Sequence, residues 1–358
     1  MDRRHFLSAC VTTTTAAVVP GRGVAQQLPP QPAVVTRGVV LLPEDLTLAD
    51  WPERAKSAGL STIGIHHQNS PRAVLDWIRT DAGQQFLAQC RKLGLGVEYE
   101  LHAIKELLPR SLFPKNPELF RMNVKGERTP DVNCCAHSSR ALEIIAENAV
   151  AIAKVLRPTT GRYFFWGDDG RPWCHCPKCR DLSPSEQATV VENRLCQALR
   201  AQDGKAQVAH LAYQNTLAPP KKVKPAKGVF LEFAPISRRY DVPYDRQQDA
   251  KQPDGLHALD ANLQVFPKDT AQVLEYWLDV SRFSKWRRPA VKLPWNKDVF
   301  LADAQTYRRR GIRHITTFAA WLDADYQRRF GDLGFLSEYG EGLQTTAICL
   351  ATRGTKKH

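Results

Sequence analysis

The chain has 358 residues, enough for one large domain or two ordinary ones. A hydrophobic content of 43% and eight Trp exclude a disordered tail and indicate a sizeable core. The formal charge of +13 favours acidic partners, but Lys and Arg are scattered, with short clusters only at 221–227 and 308–310. That pattern reads as a solvated basic surface and not as a nucleic-acid interface.

The first 25 residues read as an address label. Asp2-Arg3-Arg4-His5-Phe6-Leu7 has the twin-arginine form, a mildly apolar run covers 9–19, and Gly23-Val24-Ala25 offers a small-residue cleavage site before Gln26. The run is too short and too weakly apolar to span a bilayer, so no stable membrane anchor is expected. Leu7-Ser8-Ala9-Cys10 has the look of a lipoprotein box but precedes the apolar run. The expected route is bacterial Tat export to the periplasm or beyond, with the Tat translocase as a transient partner. A chain exported folded can acquire a metal in the cytoplasm.

After a Pro/Gln linker (26–33), strand and helix patterns alternate. Strands are predicted at 34–42, 62–67, 96–102, 163–166, 207–213, 228–234, 289–295 and 314–321. Helices are predicted at 48–58, 73–93 with a break near 81–83, 141–156, 184–201, 258–265, 270–286, 299–310 and from 333 onward. The segment 103–138 carries Pro109, Pro114, Pro117 and Pro130 and reads as loop, while 214–227 leaves no room for a full helix. Eight strands alternating with helices predict a single-domain (β/α)8 TIM barrel over 34–350, with elaborated loops after strands three and four and a basic tail at 351–358. An open doubly wound sheet is the competing architecture, but no glycine-rich phosphate loop follows the first strand.

The stretch 162–179 is the centre of the chain. Tyr163, Phe164, Phe165 and Trp166 suit a doubly buried strand. The run then breaks at Gly167, presents Asp168 and Asp169, turns through Gly170 and Pro172, and reaches Cys174, Cys176 and Cys179. In a barrel the site lies at the C-terminal strand ends. Those ends carry His66-His67, then Glu98, Glu100 and His102 on one face, then Trp166, Asp168 and Asp169. Tyr213-Gln214-Asn215, Glu232, Trp295-Asn296, and Trp321 with Asp323 complete the set. Carboxylates for proton transfer and indoles for stacking on pyranose faces make a site for sugars. The candidate substrate-binding residues are His66, His102, Trp166, Tyr213, Asn215, Trp295 and Trp321. The plain structural alternative is that Asp169 caps the following turn.

The run Glu98-Tyr99-Glu100-Leu101-His102 is followed by Leu107-Leu108-Pro109-Arg110, Leu112-Phe113, Pro117-Glu118, Phe120-Arg121 and Gly126-Glu127-Arg128. Together with Asp169-Gly170, the three cysteines and Ala212-Tyr213 before Pro219-Pro220, it resembles the bacterial domain-of-unknown-function family 4838 over roughly 97–321. The resemblance implies a glycoside-hydrolase-like TIM barrel, neighbour of the family-20 hexosaminidases and the α-glucuronidases. Where that family's pattern has Asn-Asp-Gly, this chain has Asp168-Asp169-Gly170. Carried over from family-20 enzymes, Asp169 would be the general acid and Asp168 the group that orients a substrate acetamide, although each acid there is matched only in place. Glu100 or Glu232 would be the second catalytic group, about 5–9 Å from Asp169.

Cys174, Cys176 and Cys179 have the spacing of thiolates that share a tetrahedral zinc, with Cys134 or Cys135 from the preceding loop completing the set. In an oxidising compartment the same residues can form disulfides instead. Four thiolates would make such a zinc structural, so no cofactor is expected for catalysis.

The function expected is an exported glycoside hydrolase acting on an oligo- or polysaccharide, anionic ones included, by carboxylate acid/base chemistry. Two alternatives stand beside it. One is a non-catalytic periplasmic carbohydrate-binding barrel. The other is a metal-dependent hydrolase using His66, His67 and His102 with Asp169, weakened because adjacent strand residues face opposite ways.

Overall fold

The computed structural model describes residues 33–67, 71–247 and 255–344. The expected signal segment, its cleavage point after Ala25, the linker up to residue 32 and the basic tail lie outside the described residues. Eight parallel strands close into a barrel in chain order: β1 Thr36–Leu41, β2 Thr62–His67, β3 Gly96–His102, β4 Arg162–Trp166, β5 Gln207–Ala212, β6 Val229–Phe233, β7 Gln272–Glu275 and β8 His314–Phe318. β8 pairs back onto β1, with Thr36 opposite His314 and Val40 opposite Phe318, so the ring has no free edge. The open doubly wound sheet is thereby excluded, and the TIM barrel is the fold.

The strands are buried almost throughout because helices cover the outside and side chains fill the inside. The helix Pro184–Gln202 starts on a capping box: Ser183 Oγ accepts from Glu186 N, and Ser183 N donates to Glu186 Oε2 at 2.7 Å. The helical sequence at 73–93 divides into Pro71–Ile78 and Asp81–Leu93, capped by Thr80 and ended by Gly94 at φ 67°. Among the described residues no helix is long and apolar enough to cross a membrane.

One strand differs from expectation. Strand seven is Gln272–Glu275, inside the segment read as a helix over 270–286, and only the short helix Val280–Phe283 follows it. The segment 289–295 forms no strand and leads into the helix Lys297–Arg309, for which Asn296 is the N-cap. This moves the contents of the barrel mouth, since the residues after β7 are Tyr276 to Ser281 and not Trp295.

Inside the ring lies a polar layer. Arg162 on β4 donates across the barrel to Gln272 Oε1 (3.1 Å), Gln272 Nε2 donates to Glu232 Oε1 (3.0 Å), and Trp166 Nε1 donates to Glu232 Oε2 (2.8 Å). Glu98 lies 3.9 Å from Arg162, and the guanidinium stacks 3.8 Å from the Phe230 ring. Burial pushes the carboxyls of Glu98 and Glu100 upward and that of Glu232 to about 8. Three buried acids thus surround one Arg, which opposes the upward push of burial on each.

Candidate functional site

The C-terminal ends of the strands surround a cavity of about 430 Å³, within the range of small-molecule sites. β2 contributes His66, β3 His102, and β4 Trp166 and Asp169. Leu211, Tyr213 and Gln214 come from β5 and its exit, Leu274, Tyr276 and Asp279 from β7 and beyond, and Phe318 and Trp321 from the β8 side. Gly170 at φ 58° is required by the turn below Asp169: a Cβ there would meet Gln214 Oε1 at 1.9 Å.

Two histidines are fixed by the backbone. His66 Nδ1 lies 2.6 Å from the Glu100 carbonyl and His102 Nδ1 lies 2.6 Å from the Gly167 carbonyl. A carbonyl only accepts, so each Nδ1 carries the proton and each Nε2 is left for the cavity side. Burial, with His102 nearby, lowers His66 to about 3, so it is a neutral acceptor. His67 faces the other way, toward Glu44 at 3.7 Å. Among the described residues the side-chain cluster that could hold a metal is that of the cysteines, and it includes none of His66, His102 and Asp169.

The two adjacent acids have separate roles. Asp169 is 53% exposed, with Oδ1 4.0 Å from His102 Nε2. It lines the mouth cavity and also a neighbouring groove of about 530 Å³ that includes Lys105, Asp168 and Arg171. Asp168 is 10% exposed and spent on the backbone: it accepts from Asn133 N (2.6 Å) and Lys105 N (3.1 Å), with Arg110 at 3.7 Å. It is absent from the lining of the mouth cavity. Glu100 and Glu232 are fully buried in the polar layer, Glu232 behind the Trp166 indole, and neither lines the cavity.

Of the other expected residues, Trp166, Tyr213 and Trp321 face the cavity. Trp321 adopts φ 68° and its N–H donates to Asp45 Oδ1 (2.8 Å), a carboxyl that burial pushes up to about 8. Asn215 instead braces the turn after β4, donating to the carbonyls of Gly170 and Arg171. Trp295 lies outside the cavity lining, donating to Glu338 Oε2 (2.7 Å) and packing on Phe300 and Phe335.

Tyr276, Asp279, Trp286 and Phe318 were not singled out in the sequence, and Gln214 was named only as part of the β5 end. Asp279 is 5% exposed and caps the helix Val280–Phe283, with burial raising it to about 6. Their signal was hidden because Tyr276, Asp279 and Trp286 sit in the stretch that reads as a helix.

The cysteines gather in a second place. Cys135, Cys174, Cys176 and Cys179 are buried free thiols whose sulfurs all lie within 4.8 Å of one another. Cys135 Sγ is 3.8 Å from Cys176 Sγ and 3.9 Å from Cys179 Sγ. Of the two cysteines expected to complete the set, Cys135 joins it, because consecutive side chains diverge and Cys134 turns into the main apolar core. Met122 N and Cys176 N donate to Cys174 Sγ, and Arg128 lies 3.7 Å from it. Hydrogen bonds from Cys174 and Cys179, with Arg128 beside it, hold the Cys135 thiol well below its usual range.

In fold, the chain is similar to a catalytic mutant of Gan42B, a GH42 β-galactosidase from G. stearothermophilus, with TM-score 0.54 and 13% identity over 88% of this chain and 57% of that one. It is likewise similar to the β-galactosidase from Rahnella sp. R3 (TM-score 0.55, 13% identity, 88% and 58%) and to that from the psychrophilic Marinomonas ef1 (0.52, 10%, 86% and 59%). The chain therefore spans less than two thirds of the length of these enzymes, and the likeness is one of fold. None of the curated proteins matches it. The family model described as "Domain of unknown function (DUF4838)" matches residues 31–281, well over half of the sequence, and the chain belongs to that family.

Proposed function

We propose that this protein hydrolyses glycosidic bonds at the barrel mouth, with Asp169 as the proton donor. The observation that carries this reading is that Asp169 borders both the mouth cavity and the adjoining groove. A bond cleaved between two sugar units must sit at such a junction, with its oxygen within reach of an acid. The glycosidic C–O bond breaks as the Asp169 proton passes to the leaving oxygen. Water then bonds to the anomeric carbon and returns a proton to the carboxylate. His102 Nε2 lies 4.0 Å from the Asp169 carboxylate, while the neutral His66 offers an acceptor to a sugar hydroxyl.

Asp279 is the second carboxyl of the cavity, in place of Glu100 and Glu232. Its charge stabilises the positive charge that develops on the sugar ring in the transition state. Trp321 and the half-exposed Trp286 supply stacking faces, while Trp166 is buried in the cavity floor. The implied kinship with family-20 hexosaminidases supports an acid at the end of β4 but not their orienting role for Asp168, whose oxygens are occupied.

The four cysteines are proposed to hold one structural zinc. Ligands about 2.3 Å from a tetrahedral ion are about 3.8 Å apart, close to the separations from Cys135. Four thiolates leave no position for water, so the ion would fix the loops around Asp169 and take no part in turnover. Tat export to the periplasm, proposed from residues 1–25, fits metal loading before translocation. Reducing-sugar release from a panel of oligosaccharides tests the activity: wild type should release product and Asp169→Ala should release far less, whereas a panel with no product from either argues for a binding protein.

A further inference from the structure

We propose that the sugar unit held in the mouth cavity carries a positively charged amino group, with Asp279 as its anionic partner. This deepens the carbohydrate reading and rests on it. The chain has 50 Lys and Arg against 37 Asp and Glu, yet Asp169 and Asp279 are the charged side chains of the cavity lining, and no Lys or Arg is among those lining residues. A uronic acid placed there would face two carboxylates with no compensating cation.

Asp279 makes the stronger argument. It is 5% exposed and lines the cavity, and its Oδ1 accepts from Ser281 Oγ (2.5 Å) and Arg282 N (3.1 Å). Among the described residues no Lys or Arg side chain forms an ion pair with this carboxylate, and Arg282 acts on it only at longer range. The nearest candidate, Arg282, has its guanidinium bonded to the carbonyls of Ile236 (2.8 Å) and Arg238 (3.2 Å) and stacked on Tyr240. A buried carboxylate whose charge no paired cation balances is costly, and a bound ammonium would offset that cost. The rings of Tyr276, Trp286 and Phe318 line the same cavity, and aromatic faces attract an ammonium while stacking on a sugar ring.

The test is calorimetric titration of the full chain at neutral pH with D-glucosamine, D-glucose, D-glucuronate and choline, repeated on Asp279→Asn. Glucosamine should bind about tenfold more tightly than glucose and than choline, with glucuronate weakest. In Asp279→Asn, glucosamine should fall to within about twofold of glucose. Glucuronate binding as well as glucosamine, equal binding of glucosamine and glucose to wild type, or a preference that survives the substitution overturns the proposal. Choline binding as tightly as glucosamine removes the sugar from it. Glucose binding without an amine preference contradicts this inference alone, whereas no binding by any sugar contradicts the carbohydrate reading with it. The wild-type comparison decides the matter even if the variant does not fold.

Discussion

Asn133 and Asp168 bind each other twice: Asn133 N donates to Asp168 Oδ2 at 2.6 Å, and Asp168 N donates to Asn133 Oδ1 at 2.8 Å. Asn133 Nδ2 also reaches the carbonyls of Arg171 and Pro172, so one buried side chain clamps the turn that carries Asp169 from both ends. Its φ of 45° is one that Asn tolerates better than most residues. Cys135 lies two residues further on, which ties the cysteine cluster to the same turn.

This separates the adjacent acids by role. Asp168→Ala should lose about 2–3 kcal/mol of stability, since two backbone donors and Arg110 lose their acceptor. Asp169→Ala should stay within about 0.5 kcal/mol of wild type, as exposed substitutions do. Urea unfolding of the two variants checks this, and equal losses would contradict the assignment.

The interior acids provide a second contrast. Glu100→Gln and Glu232→Gln should keep turnover within about threefold of wild type, because the side chains lie in the polar layer and Gln can still accept from Trp166. A loss of several orders of magnitude in either would return that residue to the catalytic set.

Most of the barrel was legible in the sequence. Doubly buried strands such as Tyr163 to Trp166 have a pattern that helices do not share, and the strand ends pointed to His66, His102, Trp166, Asp169, Tyr213 and Trp321. β7 was not legible, because Val273, Leu274, Tyr276, Trp277 and Leu278 fall at helical spacing and the strand is only four residues long. Ala290 to Trp295 alternates like a strand, but Pro289 and Pro294 bracket it and no ladder forms. Glu100 and Glu232 were placed on the right face at the wrong depth. Period two reports which way a side chain points, not its height along the barrel axis. The choice between Cys134 and Cys135 depended on a loop conformation that spacing alone does not specify.

For the cysteine cluster, elemental analysis should find about one zinc per chain. Cys135→Ala should lose the metal and melt at lower temperature, while Cys134→Ala should retain it. Metal retained in Cys135→Ala and lost in Cys134→Ala would reverse the ligand set.

Asp279 has a signature in the pH dependence of stability. Its folded value of about 6 lies above the ordinary 3.8 because of burial. Its contribution is therefore fully present below about pH 4 and is lost as the pH rises through 6. Asn cannot ionise and keeps the cap on Arg282 N, so Asp279→Asn should gain about 2–3 kcal/mol relative to wild type between pH 4 and pH 7. Unfolding curves at both pH values measure the difference, and a gain on the acid side instead would contradict the sign.

The central claim is that Asp169 donates the proton to the leaving oxygen, and its most direct measurement is the turnover of Asp169→Asn on two substrates of one sugar. On an alkyl or oligosaccharide glycoside with a poor leaving group, kcat should fall by about 10²–10⁴-fold with binding retained. On an activated aryl glycoside, whose leaving group needs little protonation, the loss should be much smaller. Full activity on both substrates, or equal losses on the two, would contradict the account.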